Sequence, residues 1–89
     1  MCVVIYDPRE GRLSMRGHAG AGEKGSDLVC AALTILMETA AAQPGSERAS
    51  GEGWCLIEGE PGRLAPLAVG LRLLARDFPE HVRYREASV

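Results

Sequence analysis

MCVVIYDPREGRLSMRGHAGAGEKGSDLVCAALTILMETAAA, residues 1–42, changes its pattern twice, and those changes set the architecture. Met1 to Tyr6 is a β-branched run, Asp7-Pro8-Arg9-Glu10-Gly11 supplies turn chemistry, and Arg12 to Arg16 alternates polar with apolar, so a hairpin is predicted. Gly17 to Ser26 carries glycines at 17, 20, 22 and 25 and reads as a flexible loop. Ser26 or Asp27 can then cap a helix to about Ala42, with Val29, Leu33, Leu36 and Ala40 on one buried face.

The rest follows the same grammar. Gln43 to Gly53 is rich in Pro, Gly and Ser, and Trp54 to Glu58 alternates as a strand, paired with a weaker one near Arg48. After Gly59-Glu60-Pro61-Gly62, a second helix from about Leu64 carries Leu67, Leu71 and Leu74 and ends at Pro79, with Pro66 tolerable only in its first turn. Val82 to Glu86 returns as an edge strand. The order predicts an α+β fold, a small mostly antiparallel sheet with two helices packed on one face.

At 89 residues the chain is expected to form one domain, residues 1–89, with a small core that leans on a partner surface. Hydrophobic residues at 46% and charged ones at 25% are the balance of a folding chain rather than a disordered one. Ten basic against twelve acidic side chains, without a basic block, argue against direct nucleic-acid binding. The apolar run Leu28 to Met37 is too short to span a bilayer, and the first residues lack a basic leader, so a cytoplasmic location away from membranes is expected. Three cysteines, Cys2, Cys30 and Cys55, form no CxxC pair and with His18 and His81 make no zinc-type cluster, so no disulfide framework, metal or cofactor is expected.

Two groups suited to nucleophilic catalysis flank the glycine loop. His18 opens it, and Cys30 follows twelve residues later in about the first turn of the helix. A helix start and a nearby imidazolium favour a thiolate, and a folded-back loop lets the imidazole serve as base and then as acid. The competing reading is that Cys30 packs as a small hydrophobe, which on spacing alone carries more weight. Cys2 and Cys55 read as packing residues, His81 as a solvated loop residue, and Asp27 as a helix cap or an orienter of the imidazole. Gly20-Ala21-Gly22-Glu23-Lys24-Gly25 also satisfies GxGxxG, but the chain is too short for a dinucleotide-binding sheet, so nucleotide binding ranks below the thiol.

The segment Gly17-His18-Ala19, Gly22, Gly25, then Asp27-Leu28-Val29-Cys30-Ala31-Ala32 resembles the signature of the ribosomal-processing cysteine protease (Prp) family. The resemblance implies Cys30 as nucleophile, His18 as general base and Asp27 in a supporting role. It also implies a homodimer, a loop that orders over a bound peptide, and a substrate that is the N-terminal extension of a large-subunit ribosomal protein. Thr34 stands one turn after Cys30 where the family usually has Ser, keeping a hydroxyl on that face. The chain is shorter than typical members around Gln43 to Gly53. Two other readings stand beside this one: a prophage-type paralogue acting on a virion or scaffold protein, and a non-catalytic peptide-binding or regulatory protein of the same fold.

Overall fold

The computed structural model describes residues 1–17 and 24–87, with the side chains of residues 24–27 outside that description. Strand β1 (Cys2–Asp7) and strand β2 (Arg12–Gly17) form the predicted hairpin. The Asp7 side chain stabilises its turn, Oδ1 accepting the backbone N–H groups of Arg9 and Glu10 at 3.0 Å each. Helix α1 (Lys24–Ala41) leads to a second hairpin, β3 (Glu47–Gly51) and β4 (Trp54–Glu58). Helix α2 (Pro61–Asp77) and β5 (Val82–Glu86) complete an α+β fold.

The sheet order is β3-β4-β2-β1-β5. Among the described strands only β5 runs parallel to its neighbour, β1, because a helix crossover returns the chain to the end where it began. Cys2, Val4, Tyr6, Leu13, Ile57 and Val82 point to one face and are buried against Val29, Leu33, Met37 and Ala40 of α1 and Leu64, Ala68 and Leu71 of α2. Each such aliphatic side chain contributes about 1.5–3 kcal/mol by leaving water. The helices meet where Leu36 lies over Gly70; a β-carbon there would come within 2.9 Å of Leu36 Cδ2.

Three details depart from the sequence reading. Helix α1 starts at Lys24, ahead of the expected Ser26 or Asp27 cap, so Gly25 belongs to the helix and not to the loop. Glycine is cheap there, because first-turn amides lack intrahelical acceptors in any case. Gly17 also belongs to an element, as the last residue of β2 with φ +91°. In α2 the first-turn proline is Pro61, which leaves Pro66 in the helix interior. Its missing N–H removes one hydrogen bond, from the carbonyl four residues earlier at exposed Gly62, where water can replace it.

Three ionisable groups in or against the core favour the folded state while they stay protonated. Burial, then the nearby Glu86 carboxylate, pushes the Tyr84 hydroxyl from 10 up to about 12, and burial raises the Cys2 and Cys55 thiols. A raised folded value means that the unfolded chain releases these protons first, so the stabilisation is complete below the unfolded values and is lost as pH rises through the folded ones. The urea midpoint should therefore fall above about pH 9, and Tyr84→Phe should flatten that fall toward pH 12. A midpoint constant over this range would contradict the assignment.

Candidate active site

The end of the sheet where β1, β4 and β5 begin and β2 and β3 finish is held together by backbone. Cys2 donates to the His81 carbonyl at 2.8 Å, and Gly17 donates to the Gly53 carbonyl at 2.8 Å. A side chain at Gly17 would collide with the Met1 carbonyl, so glycine is what lets β2 close on the start of β1. Across the second hairpin the Trp54 indole lies over Gly51, where a β-carbon would meet its Cε2 at 2.9 Å.

These strand ends and α1 enclose a hollow of about 260 Å³. Its glycine walls are Gly17, Gly51 and Gly53, its apolar lining is Met15, Leu33 and Trp54, and Cys2, Cys30 and Thr34 complete it. Backbone with no side chains in front of it is accessible to another extended chain, which suits such walls to a peptide. A larger hollow of about 580 Å³ lies on the opposite, uncovered face of the sheet, over Val3, Ile5 and Leu56 between Arg16 and Arg85. It contains neither Cys30 nor Thr34, so the smaller hollow is the candidate site.

Cys30 is exposed, which removes the competing reading of a packed core thiol. The reason is its helical position: Val29 and Leu33 take the buried stripe and turn Cys30 toward the sheet's end. Because α1 begins at Lys24, Cys30 lies in the second turn and its own amide falls within the helix ladder. The aid expected from first-turn amides is correspondingly reduced, since the dipole effect fades within one turn. Thr34 follows one turn later on the same face and lines the same hollow.

Of the other expected site residues, His18, Gly20 and Gly22 lie outside the described residues, as does the Asp27 side chain. His81 lies half-buried in the turn before β5, and its backbone carbonyl accepts the Cys2 N–H. Cys55 is half-buried and does not line the Cys30 hollow. The residues that sequence reasoning missed are Cys2 as a neighbour of Cys30, and Trp54 with Gly51 and Gly53 as walls. The Gly51-Glu52-Gly53-Trp54 turn, carrying the chain's single tryptophan, was the available signal.

Burial raises the Cys2 thiol, and negative charge on Cys30 raises it further. Among the described residues no group of three or more His, Cys, Asp or Glu could hold a metal ion. No described helix is long and apolar enough to cross a membrane.

Residues 4–44 match the family model described as Cysteine protease Prp, a span that contains the whole segment from Gly17 to Ala32. No curated protein matches the chain. The fold is similar to that of the essential ribosomal processing protease Prp from S. aureus. In a complex with a covalently linked product peptide that protein superposes with TM-score 0.80 at 19% identity, covering 98% of this chain and 100% of that one. Its complex with a substrate peptide gives TM-score 0.80 at 18% identity with the same coverage. SMU.848 from Streptococcus mutans gives TM-score 0.68 at 19% identity, covering 99% of this chain and 93% of that one.

Proposed function

We propose that this chain, which the family match and the Prp-like fold together support as a cysteine protease, is an endopeptidase using Cys30 as its nucleophile. The observation that carries the reading is an exposed thiol beside a hollow walled by glycine backbone. The Cys30 thiolate attacks the scissile carbonyl, and His18 takes the thiol proton and passes it to the leaving amine. The resulting thioester is cleaved by water, with His18 as base, which regenerates the thiol. Asp27 serves in support of His18, and the loop through Gly20 and Gly22 closes over the peptide. Thr34, which lines the hollow, offers its hydroxyl to the bound chain.

The S. aureus protein is described with a substrate peptide, and by analogy an extended peptide is the ligand here. The exposed strand β3, which ends at the hollow, offers an edge along which such a peptide can lie. The preferred target is the N-terminal extension of a large-subunit ribosomal protein. A homodimer is the proposed working form, supported by the uncovered sheet face with Val3, Ile5 and Leu56. The Gln43–Gly53 stretch carries β3, whose pairing with β4 supports its use as one wall of the groove.

Intact-mass analysis of the extended ribosomal protein from the same organism, after incubation with this chain, tests the reading. Loss of one discrete N-terminal peptide, with turnover exceeding the amount of chain added, is expected. An unaltered ribosomal protein beside cleavage of a virion or scaffold protein would move the target to the prophage alternative. Stoichiometric binding without any cleavage would leave only a peptide-binding protein.

A further inference from the structure

Cys2 has no part in the hydrolysis described above, yet its position is unusual for a core thiol. It is 2% exposed and lines the same hollow as Cys30, whose thiol is exposed. Its strand is fixed there from both sides, paired with Gly17 in β2 and Val82 in β5. The third cysteine is elsewhere: Cys55 pairs with Met15, two positions along β2 from the partner of Cys2, and does not line that hollow.

We propose that Cys2 is the resolving thiol for Cys30, so that hydrogen peroxide converts the pair into a reversible disulfide that closes the hollow. The Cys30 thiolate attacks the peroxide oxygen; the O–O bond breaks, water leaves after protonation, and Cys30 becomes a sulfenic acid, two electrons oxidised. The Cys2 sulfur then attacks the Cys30 sulfur, the S–O bond breaks, and a second water departs with the Cys2 proton. The division of labour follows exposure: the peroxide reaches Cys30, while Cys2 is sheltered from it and is kept as a thiol by burial. A disulfide holds its α-carbons about 4.4–6.8 Å apart, so the bond ties the second turn of α1 to the start of β1 and fills the space a peptide would enter.

The proposal adds a regulatory state to the site and rests on the protease reading for its effect on cleavage, whereas the bond itself is read by mass. The fully reduced chain is treated with hydrogen peroxide, alkylated in acid and mapped without reductant. The expected product is an intramolecular link between the Cys2 and Cys30 peptides, lighter by two hydrogens, with Cys55 still alkylated and peptidase activity restored by dithiothreitol. In Cys2→Val, which keeps an apolar β-former in β1, Cys30 should pass to the sulfinic acid and dithiothreitol should no longer restore activity. Overoxidation of Cys30 in the unmodified chain with Cys2 still free, or a Cys30 bond to Cys55 or to a second copy, would overturn the proposal. So would recovery of Cys2→Val as complete as that of the parent chain. A chain that forms the bridge but cleaves no peptide keeps the disulfide and loses the protease reading; one that cleaves peptide without bridging does the reverse.

Discussion

Cys30→Ala is expected to lower peptide cleavage at least about a thousandfold, while leaving the urea midpoint within the scatter of repeat measurements. The size of the loss follows from the role: removing a nucleophile abolishes the covalent route, and only the contribution of binding and oriented donors survives. The unchanged midpoint follows from exposure, because a surface side chain outside the core alters stability by no more than about 0.5 kcal/mol. Cys55→Ala provides the contrast, since a half-buried thiol away from the hollow should cost some stability and retain cleavage. Full cleavage by Cys30→Ala would remove the nucleophile from the mechanism. Loss of cleavage together with a collapsed midpoint would assign Cys30 to folding instead.

The second large effect lies at the far end of the sheet. Gly11 has φ +70° and is fully enclosed: it donates to the Asp7 carbonyl at 2.9 Å, accepts from the Gly59 N–H at 2.8 Å, and a β-carbon on it would collide with the Gly59 carbonyl. Gly11→Ala should therefore cost about 3 kcal/mol or more, combining about 1–2 kcal/mol for a left-handed alanine with a broken turn contact between the β1–β2 and β4–α2 connections. That is a large fraction of the roughly 5–15 kcal/mol available to a small domain. Gly45→Ala isolates the conformational part, because Gly45 has φ +81° and nothing within 4 Å of the added carbon. Urea unfolding of the two variants should give a clearly larger loss for Gly11; equal losses would show that the collision at Gly59 is relieved without cost.

The elements of this fold were legible where periodicity and punctuation agree. Asp7-Pro8 and Gly11 marked the first turn, and Val29 with Leu33 marked the buried stripe of α1, because those signals depend on neighbours in the chain. The start of α1 was misplaced by three to four residues, since Ser26 and Asp27 are good caps and Gly25 a poor helix former, while the helix begins at Lys24 nonetheless. Pro66 was misjudged for a similar reason: Pro61 had already filled the favourable first-turn position.

The site divides in the same manner. Cys30 and Thr34 could be paired from their spacing along one helix. Trp54, Gly51 and Gly53 reach Cys30 only through the order β4-β2-β1, and Cys2 reaches it only because β1 begins at the end of the sheet where α1 also begins. Such long-range juxtapositions leave no local pattern to read.

The parallel pairing of β1 with β5 has a consequence in time. During synthesis the two hairpins can zip by short-range closure, but β1 gains its outer neighbour only after α2 and β5 have emerged, and the Cys2 amide finds the His81 carbonyl only then. The residues around the Cys30 hollow all precede α2 in the chain, so what arrives last is not a wall but the outer support that holds the strand of Cys2 in place.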